Sequence, residues 1–281
     1  MKYKLACATL CYSPQRYNLD IVLERISKIG FKYVSLVSIP GFGEHIMPEK
    51  ITKKELQELK RKIKDYGLTV LAIFGPHCLE ERSGVDFFKK RMDLAKELGG
   101  EVVDTGTIWP YKRWPDLMRS KEELALAEKI FYENIDKVAS YAESIDITVG
   151  LETHTGLTAT GKKSLEVMKK INSKYIRITY DTANLIFYDG VRPEEDISYI
   201  AKYVAHMHVK DHLGGWKEAN FPTIGEGDIN FKHIFSVLKE VNFSGPFSIE
   251  GVHGETIEET DEKLKKSLKF LNQTFRSIYG D

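Results

Sequence analysis

The chain has 281 residues, 42% of them hydrophobic, and 41 Lys plus Arg balance 41 Asp plus Glu for a formal net charge of zero. That balance provides no global field to draw the protein onto nucleic acid or an anionic membrane, and no run of about 20 apolar residues offers a membrane span. One eight-fold α/β barrel needs about 250 residues, so the length suits a single domain over residues 1–281. Cys7, Cys11 and Cys78 show no CxxC spacing. Their odd, small number suits a reducing compartment, and the start of the chain lacks the apolar centre of a signal peptide. A cytoplasmic protein is expected.

In chain order, short apolar runs alternate with longer amphipathic ones. A strand is expected at 5–11, a helix from 18 to 29 closed by Gly30, a strand at 33–39, and a Lys- and Glu-rich helix at 52–66 closed by Gly67. A strand at 68–74, a helix at 84–98 and a strand at 101–105 follow, leading into an aromatic loop from Trp109 to Pro115. The second half reads helix 121–144, strand 148–152, helix 161–171, strand 176–181, helix 193–203, strand 204–210, helix 231–241, strand 246–250 and helix 255–275. Eight strand–helix units without a flexible linker predict a parallel sheet closed as a (β/α)8 TIM barrel, with an open doubly wound sheet as the alternative.

In such a barrel the strand C-termini and the loops after them form the active site. The strand at 148–152 ends in Glu152, that at 176–181 in Asp181, and that at 246–250 in Glu250, while the one at 204–210 carries His206, His208 and Lys210 on one face by alternation. Each of these charges ends an apolar run, where an unpaired charge is costly. Three carboxylates delivered to one rim repel each other unless a cation joins them. Three oxygen donors and one imidazole suit one divalent metal ion, Mn²⁺, Mg²⁺ or Co²⁺, with Zn²⁺ also compatible.

The segments Gly150-Leu151-Glu152-Thr153-His154, Tyr180-Asp181-Thr182-Ala183-Asn184 and His206-Met207-His208-Val209-Lys210-Asp211 resemble the xylose isomerase-like barrel superfamily. So do Ile224-Gly225-Glu226-Gly227-Asp228-Ile229-Asn230-Phe231 and Pro246-Phe247-Ser248-Ile249-Glu250. That group includes sugar 3-epimerases, hydroxypyruvate isomerase, inosose dehydratase and endonuclease IV. The resemblance implies Glu152, Asp181, His208 and Glu250 as metal ligands. It also implies a metal-stabilised enediolate of a keto sugar or polyol, with Glu152 and Glu250 as the catalytic acid–base pair.

Substrate-contact candidates are His77, Asn184, Lys210, Asp211 and Trp109, with Trp114 as a second wall residue and His154 beside the metal or capping a loop. Lys210 and Asp211 read equally well as a rim ion pair. Glu226 is expected to be structural. Ketohexose 3-epimerases carry an arginine where this chain has Gly214 and a glutamate where it has Thr158, so the His-x-Lys-Asp pattern sits nearer the inosose dehydratase and general isomerase branches. The alternatives to an isomerase or epimerase are therefore a dehydratase, an endonuclease IV-like enzyme and a non-catalytic sugar-binding barrel. The endonuclease needs extra histidines that this chain lacks, and its charge is balanced. The expected partner is a small carbohydrate, with no nucleic acid or membrane. The resemblance also implies a homodimer or homotetramer, with the aromatic loop or the last helix as interface.

Overall fold

The structure, a computed structural model, describes residues 3–13 and 15–280. Among these residues eight parallel strands close into a barrel: β1 (Lys4–Ala8), β2 (Tyr33–Val37), β3 (Thr69–Phe74), β4 (Val102–Thr105), β7 (Thr148–Glu152), β8 (Ile176–Asp181), β9 (Val204–Val209) and β10 (Pro246–Ile249). The hydrogen-bonded order is β1-β10-β9-β8-β7-β4-β3-β2, so the sheet closes between its first and last strands. A short antiparallel hairpin, β5 (Tyr111–Arg113) with β6 (Leu117–Met118), stands apart from the barrel.

Eight helices surround it: α1 (Leu19–Ile29), α2 (Lys53–Asp65), α3 (Gly84–Leu98), α4 (Lys121–Ile145), α5 (Gly161–Lys170), α6 (Pro193–Ile200), α7 (Phe231–Glu240) and α8 (Ile257–Tyr279). Their starts are written in the sequence. Thr52 with Glu55 and Ser120 with Glu123 form capping boxes, while Asn18, Thr160, Asn230 and Thr256 accept a first-turn backbone N–H. Gly30 and Gly99 stop α1 and α3 in the left-handed conformation. No helix among the described residues is long and apolar enough to cross a membrane, and Cys7, Cys11 and Cys78 are free and buried.

The structure differs from the sequence expectations at three places. The first strand stops at Ala8 and a 3-10 turn takes Thr9–Cys11, because the Thr9 hydroxyl accepts the Val37 N–H (3.1 Å) in place of a ladder bond. The expected aromatic loop, 109–115, carries strand β5, which pairs with β6 just beyond it. The last helix runs four residues beyond 275, to Tyr279.

Phe275, near the end of α8, fastens that helix to the barrel. Its ring stacks on Tyr3 (4.2 Å between centroids) and Phe235 (4.8 Å) and meets Phe247 edge-on (4.8 Å), with no solvent exposure. Phe275→Ala removes a fully buried ring and leaves a cavity, so it is expected to cost about 3–5 kcal/mol of unfolding free energy. Urea denaturation followed by circular dichroism measures this; a loss under about 1 kcal/mol would show that α8 does not rely on this contact.

Candidate metal centre

Strand register delivers the site residues to one level. Asp181 of β8 pairs with His208 of β9, Thr179 pairs with His206, and Ile249 of β10 pairs with Val209, so Glu250 emerges one residue past β10. The Glu250 N–H continues the ladder by donating to the Val209 carbonyl (3.1 Å). Four ligand-type side chains therefore meet: Glu152, Asp181, His208 and Glu250 each offer an atom, and these atoms lie within 4.8 Å of one another.

His208 stands at the centre. Its Nδ1 is 3.1 Å from Glu152 Oε1, 3.0 Å from Glu250 Oε2 and 4.0 Å from Asp181 Oδ2. Its Nε2 faces the other way, 3.2 Å from Asp104 Oδ2. The Phe74 ring stacks on the imidazole at 4.1 Å. One nitrogen is thus tied to a carboxylate while the other points into the acidic cluster, the arrangement that orients a metal-binding histidine. Asp181 is fixed just as firmly. Its Oδ1 accepts the backbone N–H groups of Ala183 and Asn184, both at 2.8 Å. Its Oδ2 and Glu250 Oε2, both buried, accept no hydrogen bond of good geometry and are faced only by the ion-pair contacts of Lys210 Nζ and His208 Nδ1, each at 3.0 Å. Buried carboxylate oxygens left in this state suit a cation.

Lys210 supplies the other positive charge. Its Nζ lies 3.0 Å from Asp181 Oδ2, 3.3 Å from Glu250 Oε1 and 3.0 Å from Asn184 Oδ1. Burial opposes its charge, but Asp181 and Glu250 beside it raise its pKa. Burial opposes that of His208 too, yet Glu250, Asp104 and Glu152 hold its pKa well above the ordinary histidine value. Glu250 is drawn down to about 2, against its burial, by Lys210 and His208. Burial, reinforced by Glu250 and Glu152, pushes Asp181 up to about 6.

The other expected residues fall into two groups. His77, Asn184, Lys210 and Trp109 line one cavity of about 560 Å³ with Glu152, His208 and Glu250. His77 Nε2 is 3.6 Å from Glu152 Oε2, and its ring lies so close to Gly106 that a Cβ there would stand 2.1 Å from it. Asn184 Nδ2 donates to Glu152 Oε1 (3.2 Å). Trp109 is pinned through its backbone: its N–H donates to Glu80 (3.0 Å) and its carbonyl accepts from Arg119 (2.9 Å). His154 also lines the cavity, 4.3 Å from the Tyr188 ring, and burial takes its pKa down to about 3.

Asp211 and Trp114 do not line the cavity. The Asp211 carboxylate turns to the 224–229 loop and accepts the N–H groups of Gly225 (2.8 Å) and Gly227 (3.0 Å), so it closes a turn instead of contacting substrate or pairing with Lys210.

Asp104 and His206 are the residues that sequence reasoning passed over. Asp104 is 2% exposed and holds both His206 Nδ1 (3.0 Å) and His208 Nε2 (3.2 Å), and the Thr179 hydroxyl donates to it. Its pKa falls to about 2 against its burial, chiefly through His206 and then His208. His206 continues through Nε2 to the Ser248 hydroxyl (2.7 Å), which meets that of Ser35 (2.8 Å). Gly150 makes room for this chain: a Cβ there would stand 2.0 Å from Thr179 Oγ1 and 2.8 Å from Asp104 Oδ1. The signal was present, since Asp104 follows Val102-Val103 near a strand end just as the other carboxylates follow their apolar runs.

Asp104→Asn keeps the shape of the side chain and removes the charge facing His208. It is expected to weaken divalent-metal binding about 10–100-fold, measured by titration calorimetry on protein whose melting curve shows it folded. Affinity within twofold of the parent chain would show that Asp104 does not orient His208.

Comparison with known proteins agrees with this architecture. The family model described as xylose isomerase-like TIM barrel matches residues 23–274. An uncharacterized protein, MJ1311, of Methanocaldococcus jannaschii is 26% identical, covering 96% of this chain and 91% of its own. The putative L-ribulose-5-phosphate 3-epimerase SgbU of Haemophilus influenzae is 25% identical, covering 79% of each chain. An inosose dehydratase of Clostridium beijerinckii is 24% identical, but the match spans only 52% of this chain and 54% of that one. In fold, the chain superposes on the crystal structure of a D-psicose 3-epimerase in the presence of D-fructose with a TM-score of 0.77 at 16% identity, covering 99% of this chain and 100% of that one. With closed barrel, matched span and relatives in agreement, the chain belongs to the xylose isomerase-like TIM barrel family.

Proposed function

We propose that the protein is a divalent-metal-dependent isomerase or epimerase of a keto sugar or related polyol. The observation that carries this is the meeting of Glu152, Asp181, His208 and Glu250 from four successive barrel strands within 4.8 Å, at a cavity of about 560 Å³. Asp181 Oδ2, Glu250 Oε2, a Glu152 oxygen and His208 Nδ1 are the atoms that would hold the ion. An oxygen-rich set of this kind favours Mn²⁺, Mg²⁺ or Co²⁺. When bound, the ion polarises a substrate carbonyl and acidifies the neighbouring C–H.

The rest is the work of the chain's own groups. Glu152 and Glu250 approach His208 Nδ1 at 3.1 and 3.0 Å and have different neighbours, His77 and Lys210. Lys210 beside Glu250 keeps that carboxylate ionised, which suits it to accept a proton. Glu152 has His77 within 3.6 Å, an imidazole through which a proton can be exchanged. Carboxylates in unlike surroundings can divide acid and base roles, one removing the proton and the other returning it. Asn184, hydrogen-bonded to both Glu152 and Lys210, fixes the spacing between them. His77, Asn184, Lys210 and Trp109 are positioned to contact the substrate.

A second reading, dehydration, is favoured by the inosose dehydratase among the relatives and by the Lys210 ammonium beside Glu250. The same C–H proton is removed, and a neighbouring hydroxyl then takes a proton and leaves as water.

The two readings part in D₂O. Metal-loaded protein incubated with ketoses and inososes is expected to place deuterium at one carbon of a substrate without loss of mass as water; loss of water would establish the dehydratase. Glu250→Gln is expected to lower this exchange about 10²–10⁴-fold while the protein stays folded. Undiminished exchange in that variant would remove Glu250 from the acid–base role.

A further inference from the structure

A pocket that binds a phosphate ester supplies fixed cationic forks, a free lysine or unpaired backbone N–H groups. The cavity at the acidic cluster supplies none of these. Among the described residues lining it there is one lysine and no arginine. The Lys210 ammonium donates to Asn184 Oδ1 (3.0 Å) and Glu250 Oε1 (3.3 Å) and is ion-paired with Asp181 Oδ2 at 3.0 Å, so its charge is already matched inside the cluster, and the Phe221 ring lies 5.4 Å from it. Arg119 lies behind the wall, spent on Glu80 and on the Trp109 and Glu123 carbonyls. Lys217 lies over Trp216 and Trp114, neither of which lines the cavity. The Gly225–Gly227 turn gives the N–H groups of Gly225 and Gly227 to Asp211.

What the cavity does present is negative charge and apolar surface. Glu80, Asp104, Glu152 and Glu250 line it, Leu10, Ile39, Phe42, Phe74, Phe187 and Phe221 give it an apolar side, and His77 and His154 add imidazoles. A phosphate dianion entering here would lose its hydration and face four carboxylates with neither an arginine nor a free lysine to pair it. An uncharged sugar loses far less, and its C–H faces can pack on the aromatic rings.

We propose that this cavity selects uncharged ketoses or polyols and discriminates against their phosphate esters. The proposal rests on the sugar-isomerase reading above and adds the charge of the substrate to it. It separates this chain from what the name of its relative SgbU states of that protein.

The test uses the full chain, metal-free and loaded with Mn²⁺, and two matched pairs: D-fructose with D-fructose 6-phosphate, and L-ribulose with L-ribulose 5-phosphate. Binding is read by calorimetry and by quenching of tryptophan fluorescence, and deuterium uptake from D₂O is followed in parallel. In at least one pair the neutral sugar is expected to bind at least about tenfold more tightly than its ester. Equal or tighter binding of the esters overturns the proposal, and deuterium in the esters would then show that the isomerase reading survives without it. If neither member of either pair binds, the proposal fails, and an absence of deuterium from every sugar tested shows separately that the isomerase reading has failed too.

Discussion

Four carboxylates, an imidazole and an ammonium packed into the mouth of a barrel set the terms for this structure. Asp104, Glu152, Asp181 and Glu250 converge on His208 and Lys210, and all six are nearly or wholly removed from water. Charges placed so deep persist only when each is paired or hydrogen-bonded with good geometry. The barrel meets that demand with fixed backbone. The turn after β8 gives two N–H groups to Asp181, and strand register sets His208 beside it. Two carboxylate oxygens, on Asp181 and Glu250, are still left without a hydrogen bond of good geometry, and the cluster keeps more negative than positive groups. That residual demand for positive charge is what a divalent cation at this candidate site would meet.

A polar thread runs from this mouth into the barrel. Ser35, Ser248, His206, Asp104 and His208 form one connected chain, with Thr179 as a branch, through an interior whose apolar residues include Ala8, Val37 and Phe74. Every link is made, so the network holds rings in place instead of destabilising the core. It fixes which nitrogen of His208 faces the carboxylates, and Phe74 packs the ring against rotation. Above it, Glu80 and Arg119 secure the backbone of Trp109, so the aromatic wall is anchored at its base. The β5–β6 hairpin extends that wall through Tyr111, whose ring meets Trp114 edge-on at 4.7 Å.

Much of this was legible because period and punctuation agree in the sequence. β7 and β8 begin and end where their apolar runs do, and capping residues such as Thr52 and Ser120 mark their helices. The convergence of Glu152, Asp181, His208 and Glu250 followed from one rule, that strand C-termini share a rim. Asp104 obeys the same rule on the expected strand at 101–105, one residue before its end, but was not weighed with the other carboxylates. His206 could not be interpreted without Asp104, its partner 102 positions away. Asp211 misled for the opposite reason. Next to Lys210 in sequence it suggested a rim ion pair, yet the chain turns there and its carboxylate serves the glycine loop. The aromatic hairpin has neither strand alternation nor helical period across its Trp and Pro residues, so only packing defines it.

The most direct measurement is a crystal structure of the Mn²⁺-loaded protein with anomalous scattering recorded for the metal. The account predicts one strong anomalous peak coordinated by Glu152, Asp181, Glu250 and Nδ1 of His208, with His208 Nε2 still hydrogen-bonded to Asp104. A cluster without a peak, or a metal bound through Nε2 with Asp104 displaced, would contradict it.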